Sequence, residues 1–361
     1  MDNFIKEICF TEDWIKNKRK HTSDNITLIE KTIHAFALLG YLVQSEFEFI
    51  FKGGTCILLH VPIVKRLSID IDIIFGGNID DFQKFLSEIP GNSPFTRYEE
   101  DERGARGLPN RKHFKFFYLS SISNEEESVL LDIVLEDIEH IQYTESKLIK
   151  TEYFDTVFDL SANIPTIEGL LGDKLTAFAP HTIGVPFKTE KGDSMTMQVA
   201  KQLFDIGELF NIATDFDKLS KSFRNTYTVE STYRENTFTE EHVLHDIIDI
   251  SALICHINLT GYKDREDSDN IKDGVSRLVS HLVNNSKFSI DKDLKITAAK
   301  VFFIANSIKY NRTHNLQELR FTDENINEIR DVSLDKPYNF LNKLKQIVPE
   351  AFYYIWQGIK E

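Results

Sequence analysis

The chain has 361 residues, of which 41% are hydrophobic and 27% are charged; these values are typical of a soluble globular protein. They exclude a disordered tail protein, a collagen-like chain and a disulfide-rich scaffold. The 42 Lys and Arg residues against 57 Asp and Glu residues give a formal net charge of −15. This charge argues against a general nucleic-acid coat protein, but it leaves open an enzyme with a local basic surface.

The sequence also indicates where the protein acts. Its first ten residues, MDNFIKEICF, have neither the basic region nor the apolar region of a secretory signal. No uninterrupted apolar run reaches the roughly 18 residues that span a bilayer. Cys9, Cys56 and Cys255 are far apart and odd in number, which disfavours a disulfide framework or a zinc ribbon. We therefore expect a reducing, cytoplasmic setting and no membrane partner.

The first half of the chain mixes predicted helices and strands. Apolar residues recur at helical spacing or alternate with polar ones, and glycines interrupt the pattern. Helices are predicted over 25–41, with an end near Gly40, over 56–60 and over 79–89, and strands over 47–51, 66–75, 113–119 and 129–136.

The second half of the chain is predicted to be helical throughout. Helices are predicted over 166–179, 196–214, 240–259, 270–284, 294–310, 322–332 and 338–354, joined by polar connections. The fold class is therefore α+β, with a mixed sheet flanked by helices in residues 1–163 and an all-helical domain in residues 164–361.

An Asp-x-Asp pattern stands in the second predicted strand, in the sequence RLSIDIDIIF. Alternate side chains of a strand point to the same face, so Asp70 and Asp72 are expected to share one face. Two neighbouring carboxylates repel each other unless a cation lies between them. Their oxygens are the ligands that Mg²⁺ or Mn²⁺ prefers.

A strand break precedes this pattern, at Gly53-Gly54-Thr55. Backbone N–H groups at the start of a helix bind anions, and glycine lets a phosphate approach the backbone closely. The Thr55 hydroxyl is a further donor.

A third acid, Asp132, stands inside the apolar run VLLDIVL. The run predicts a buried strand, where an unpaired carboxylate costs several kcal/mol. A metal ion shared with Asp70 and Asp72 would offset that cost. Three carboxylates on adjacent strands are able to hold two divalent ions roughly 3.5–4 Å apart, an arrangement used in phosphoryl-type transfer.

Together these motifs resemble the DNA polymerase β-type nucleotidyltransferase superfamily. Gly-Gly-Thr followed by Arg66-x-Ser68-x-Asp70-Ile-Asp72 is similar to its AbiEii/AbiGii toxin branch. The resemblance assigns nucleotide binding to Gly53, Gly54, Thr55 and Ser68, and metal binding to Asp70, Asp72 and Asp132.

Two segments of the helical half extend the resemblance. Lys174, in the sequence GDKLTA, lies on the apolar face of a predicted helix, where a lysine either extends to solvent or meets a buried anion. The resemblance favours the triphosphate as that anion and makes Lys174 both nucleotide-binding and catalytic. KQLFDI is similar to the last motif of the family, which implies a catalytic role for Asp205; the alternative is a helix pair between Lys201 and Asp205.

The resemblance implies an enzyme that uses an NTP and Mg²⁺ or Mn²⁺. It would transfer an NMP to an acceptor hydroxyl and release pyrophosphate, with residues 1–163 as the nucleotidyltransferase catalytic domain and residues 164–361 contributing Lys174 and Asp205 to the cleft. It also implies a toxin of a toxin–antitoxin or phage-defence pair, with tRNA as the acceptor and an antitoxin as the partner. Two alternatives stay open: transfer to a protein or small molecule, which the charge of −15 favours over RNA, and a non-catalytic nucleotide-binding module.

A basic cluster precedes and enters the strand predicted over 113–119. It is formed by Arg103, Arg106, Arg111, Lys112 and Lys115. Such a cluster is able to bind the phosphates of an RNA backbone, or it belongs to an exposed loop.

Overall fold

The computed structural model describes residues 2–22, 24–91, 93–101 and 109–360. The chain divides into two units. The N-terminal unit comprises Met1–Thr166 together with Ser280–Ser286, and the helical unit comprises Ile167–Val279 and Lys287–Glu361. The sequence analysis predicted a single boundary at residue 163. It did not predict that Ser280–Ser286 return to the first unit.

The N-terminal unit is built on a mixed sheet. Within the described residues the sheet has five strands in the order β1-β2-β5-β4-β3, and β6 and β7 form a separate hairpin. Only the β2–β5 pair is parallel among these pairings. The strands are β1 Ile50–Lys52, β2 Ile71–Phe75, β3 Arg97–Glu100, β4 Arg111–Leu119, β5 Glu126–Leu135, β6 Thr144–Leu148 and β7 Ser161–Pro165. The structure confirms the predicted α+β class.

The helices of the N-terminal unit are α1 Glu12–Lys18, α2 Ile26–Val43, α3 Gly53–Cys56 and α4 Ile79–Glu88. Of these, α2 and α4 pack on one face of the five-stranded sheet. His34 of α2 stacks on Tyr118 of β4, with ring centroids 3.5 Å apart, and Phe82 of α4 stacks on Phe75 of β2 at 4.6 Å. Burial of these aromatic rings contributes to the stability of this inner face. The alternate residues of the strands form the outer face.

Helix α2 continues past Gly40, where the sequence predicts its end. A Cβ atom at Gly40 would lie 2.8 Å from the Phe4 ring, so this glycine makes room for a packed side chain instead of ending the helix. With 18 residues, α2 is the one helix of the described chain that is long and apolar enough to cross a membrane. Because 78% of that stretch is buried inside the protein, α2 has the properties of a core helix.

Strand β2 is shorter than predicted and begins at Ile71. The preceding residues pair elsewhere: Arg66 forms an isolated bridge with Leu282, and the Leu67 N–H donates to the His281 carbonyl at 3.0 Å. The backbone hydrogen bonds of residues 65–67 are therefore satisfied by a segment more than 200 residues later in the chain, a pairing that local sequence patterns do not reveal.

The helical unit packs around one central helix, α10, whose residues from Leu294 to Ile308 are all buried. Its helices are α5 Ile167–Ala177, α6 Thr196–Phe210, α7 Phe216–Thr232, α8 Glu240–His256, α9 Glu266–Leu278, α10 Asp293–Lys309, α11 Asn325–Ile329, α12 Leu344–Ile347 and α13 Pro349–Ile359. Helix α7 was missed by the sequence analysis. Its apolar face is narrow, and it consists mainly of Phe216, Leu219 and Phe223.

Candidate active site

A row of polar side chains crosses the outer face of the sheet. Asp72 of β2 is the register partner of Asp132 of β5, which is in turn the partner of His113 of β4. On the other side, Lys52 of β1 is the partner of Asp72. Register partners project to the same face, and neighbouring strands are about 4.8 Å apart. The sheet therefore places the two carboxylates side by side, although they are 60 positions apart in the sequence.

Gly53 lies directly against the Asp72 carboxylate. Its φ angle is +80°, and a Cβ atom there would overlap Asp72 Oδ2. Glycine is thus required both by the left-handed backbone conformation and by the close approach of the acid. The predicted phosphate segment and the predicted metal ligand are direct neighbours in the structure.

The next two residues also contact the Asp-x-Asp segment. A Cβ atom at Gly54 would lie 2.7 Å from Ser68 Oγ and 2.9 Å from an Nη atom of Arg66. The buried Thr55 hydroxyl donates to the Asp70 carbonyl at 2.6 Å. That hydroxyl is therefore used inside the protein, where it ties the glycine segment to the residue before β2.

Asp132 is not buried as the sequence analysis assumed. It lies on the outer face, opposite the buried Leu131 and Ile133, and its side chain is 33% exposed. Its Oδ1 is 2.7 Å from His113 Nδ1. Since an ionised carboxylate only accepts hydrogen bonds, the imidazole is the donor. Burial alone thus does not require a metal ion at Asp132. Its position beside Asp72 favours a metal ion, because two adjacent carboxylates repel each other.

The donor set of the Asp72–Asp132 pair fits a divalent cation. Both residues are half-buried, and Mg²⁺ in nucleotide-handling sites commonly takes one or two carboxylates plus waters and substrate phosphates. Among the side chains that the structure describes, no group of three or more His, Cys, Asp or Glu residues is arranged to hold a metal ion. The predicted convergence of three carboxylates is thus not found among these side chains, and what the sheet brings together is the Asp72–Asp132 pair. Asp70 lies two residues before Asp72, outside the strand.

Lys174 and Asp205 form a buried ion pair within the helical unit. Lys174 of α5 and Asp205 of α6 have an N···O distance of 3.2 Å, and their side chains are 7% and 4% exposed. Lysine on the apolar face of α5 therefore meets a buried anion, one of the two alternatives that the sequence left open, and in this structure the anion is Asp205. Lys201 lies one turn before Asp205 on α6, half-buried.

The structure divides the basic cluster between the two faces of the sheet. Arg111 and Lys115 alternate with the inner residues of β4 and project to the outer face, as His113 does. Lys112 belongs to the other face and forms an ion pair with Glu100 of β3. Arg103 and Arg106 lie outside the described residues.

Two residues of this region were missed by the sequence analysis. His113 stands in a predicted strand, but only the register of β4 against β5 brings it to Asp132. Arg66 was quoted only as part of a motif, although its guanidinium is buried beside Gly54. No local sequence signal beyond the motif indicates its role, because its burial depends on the packing of the folded chain.

The chain is similar to a known protein family. The family model described as "Nucleotidyl transferase AbiEii toxin, Type IV TA system" matches residues 38–275, well over half of the chain. No curated protein matches the sequence.

Several solved structures are similar to this chain at low sequence identity. JHP933 from Helicobacter pylori is 16% identical with a TM-score of 0.40, and the match covers 84% of this chain and 99% of that one. MenT4, a nucleotidyltransferase toxin from Mycobacterium tuberculosis, is 11% identical with a TM-score of 0.47, with 91% and 94% covered. From the family match, the chain belongs to the AbiEii nucleotidyltransferase toxin family and is a nucleotidyltransferase.

Proposed function

We propose that this nucleotidyltransferase depends on Mg²⁺, or Mn²⁺ in its place, and transfers an NMP from an NTP to a hydroxyl at the 3′ acceptor end of tRNA. The observation that carries the proposal is the Asp72–Asp132 pair at matching register on the half-exposed outer face of the sheet. Carboxylates so placed repel each other, and a divalent cation removes that repulsion.

The proposal assigns the cation to Asp72 and Asp132, with Asp70 as a further ligand. When bound, the cation supplies positive charge against the phosphates and against the charge that develops during transfer. The acceptor hydroxyl attacks the α-phosphorus, the new O–P bond replaces the bond to the β-phosphate oxygen, and pyrophosphate leaves. Asp132 favours loss of the hydroxyl proton, as an anion close to the reacting group.

The nucleotide phosphates are assigned to the backbone of Gly53, Gly54 and Thr55 and to the Ser68 hydroxyl. The close packing of Gly53 on Asp72 and of Gly54 on Ser68 and Arg66 supports this assignment, because it keeps an anion-binding segment next to the carboxylates. Lys174 and Asp205 are proposed to be catalytic on the strength of their family motifs.

The acceptor is assigned to RNA because Arg111 and Lys115 share the outer face with Asp132. Cations there attract the phosphates of a polynucleotide. The net charge of −15 favours a second candidate, transfer to a protein side chain or a small molecule.

The family implies an NTP substrate and an antitoxin partner. We assign this chain to phage defence and to the cytoplasm, with an antitoxin that restrains its activity. Expression of the chain alone should arrest growth, and the Asp72→Asn variant should relieve that arrest.

The test is nucleotidyl transfer from each α-³²P-labelled NTP to bulk tRNA or to a protein extract, with pyrophosphate measured in parallel. Wild type should label tRNA and require Mg²⁺. Asp70→Ala and Asp72→Asn should each lose at least about 100-fold in rate, on the order expected when a major electrostatic contribution is removed. Glu88→Gln, an exposed acid at the end of α4, serves as the matched control and should retain full activity.

Other outcomes would contradict the proposal. Label found only on protein would overturn the tRNA acceptor, and transfer that is unchanged by chelation would overturn the metal requirement. NTP binding without pyrophosphate release from any acceptor would favour the non-catalytic alternative.

A further inference from the structure

His113 makes a hydrogen bond for which the family motifs quoted above give no reason. Its Nδ1 lies 2.7 Å from Asp132 Oδ1, and the two residues are direct register partners on β4 and β5. The side chains are 20% and 33% exposed, so the contact is partly shielded from water, and a hydrogen bond to an ionised group contributes more than one between neutral groups.

The contact occupies only one of the two carboxylate oxygens. Among the described residues, Asp132 Oδ1 has the imidazole as its partner, and no protein donor is bonded to Oδ2. Fixing one oxygen of a planar carboxylate restricts rotation of the whole group. The imidazole approaches from β4, and Asp72 is on the opposite neighbouring strand, β2. The carboxylate is thus flanked by a donor on one side and by a second acid on the other.

We propose that His113 is a positioning residue, which holds Asp132 through its Nδ1–H and leaves Oδ2 available to the divalent cation shared with Asp72. This inference rests on the proposed function. The competing explanation is that the pair only stabilises the sheet, as other cross-strand pairs do.

The two explanations differ in what loss of the Nδ1–H changes: metal binding if His113 positions Asp132, and only stability if the pair serves the sheet. Asparagine places an amide N–H near the position of the imidazole Nδ1, whereas glutamine reaches toward the position of Nε2. The informative variants are therefore His113→Asn, His113→Gln and His113→Leu. Urea unfolding of each variant shows whether the fold is retained, and the Asn and Gln variants are both polar, so they keep the comparison valid if His113→Leu does not fold.

The primary readout is Mn²⁺ binding to the full-length protein without NTP, measured by electron paramagnetic resonance of the free ion. Loss of a group that orients a metal ligand typically weakens metal binding about 10–100-fold. We expect His113→Gln and His113→Leu to show weakening of that order, and His113→Asn to stay within about threefold of wild type. The Mg²⁺ concentration for half-maximal transfer should likewise rise in His113→Gln and His113→Leu and stay close to the wild-type value in His113→Asn.

The controls separate failure of this inference from failure of the proposed function. If Asp72→Asn binds Mn²⁺ as wild type does, the proposed metal site is wrong, whatever His113 does. If Asp72→Asn loses Mn²⁺ while His113→Gln and His113→Leu keep it, the site stands and the positioning role is overturned. Equal losses in all three His113 variants would likewise contradict the Nδ1 assignment.

Discussion

At the scale of single residues, the site depends on one glycine and one acid that touch. Gly53 combines a φ angle of +80° with direct packing on the Asp72 carboxylate. The sequence indicated both residues, but it indicated them for separate roles. Their contact requires the antiparallel pairing of β1 with β2, in which Lys52 is opposite Asp72.

Gly53→Ala should abolish most of the transferase activity. The new methyl group has no room beside Asp72 Oδ2, so the carboxylate or the backbone must move, and a displacement of about 1 Å at a reacting site costs on the order of 100-fold in rate. The measurement is kcat/KM for the NTP together with the free energy of unfolding.

Gly91→Ala is the matched control for this prediction. Gly91 also has a positive φ, of +99°, but nothing lies within 4 Å of the position of a Cβ atom. Both variants carry the strain of a left-handed alanine, roughly 1–2 kcal/mol. If Gly91→Ala lost as much activity as Gly53→Ala, the contact with Asp72 would not be the reason.

At the scale of secondary-structure elements, local patterns succeeded where an element is defined by its own residues. Residues 113–119 and 129–136 were predicted as strands and form most of β4 and β5, and helical spacing predicted α4 and α8 with errors of a few residues. The patterns failed where contacts with residues far away in the sequence determine the local structure. Residues 65–67 pair with the segment around Leu282 instead of extending β2, and α7 has too few apolar residues to be recognised alone.

Pairing between elements could not be predicted either, and it determines the candidate site. The apolar run around Asp132 predicted a strand but not its half-exposed face, because the depth of a side chain depends on which helices cover the sheet. The buried partner of Lys174 was likewise unknown until α5 and α6 were seen to pack together.

The Lys174–Asp205 pair should be costly to break and nearly neutral to replace. Lys174→Met or Asp205→Leu alone removes one member of a buried ion pair, which destabilises by about 3–5 kcal/mol. The double variant removes both charges, and similar buried pairs have been replaced by apolar residues at little cost. Urea unfolding of the four proteins gives the coupling energy.

The result also separates stability from catalysis. If the double variant folds as well as wild type but has no transferase activity, the pair has a role beyond structure. If its stability is as low as that of the worse single variant, the two charges do not stabilise the protein mainly through each other.

At the scale of the whole molecule, the chain leaves the N-terminal unit at Thr166 and contributes Ser280–Ser286 to it again. Asn284 anchors this return. Its backbone N–H donates to Asp24 Oδ1 at 3.2 Å, and its side-chain amide donates to the Val64 carbonyl at 2.8 Å and to Glu152 at 3.1 Å. One residue thus links three distant parts of the N-terminal unit.

Asn284→Ala should destabilise the protein by about 1–3 kcal/mol. The substitution removes two side-chain hydrogen bonds, leaves the Val64 carbonyl without this donor, and places alanine at a φ of +57°. Asn285→Ala is a close control, because Asn285 has the same φ and is exposed. The free energy of unfolding should fall further in the Asn284 variant than in the Asn285 variant, which carries the backbone strain alone, and the hydrogen exchange of residues 65–67 should change only in the Asn284 variant; equal effects in both would assign the loss to backbone strain.

The distribution of charge leads to the last prediction, which concerns the acceptor. A chain with a net charge of −15 repels RNA at long range, so binding must depend on a few local cations. Arg111 and Lys115 are on the outer face with Asp132, where Lys115 also forms an ion pair with Asp101 at 3.0 Å. Lys112 is on the inner face and paired with Glu100.

Arg111→Ala combined with Lys115→Ala should therefore weaken tRNA binding without changing KM for the NTP. Each lost phosphate contact lowers the slope of log K against log salt by about one, so the double variant should show a slope shallower by up to about two. Lys112→Ala should leave both the affinity and the slope unchanged, because its ammonium serves Glu100 on the other face. If Arg111, Lys112 and Lys115 contributed equally to tRNA binding, the acceptor would not be bound specifically by the face that carries the carboxylates. The assignment of this face to RNA would then fail.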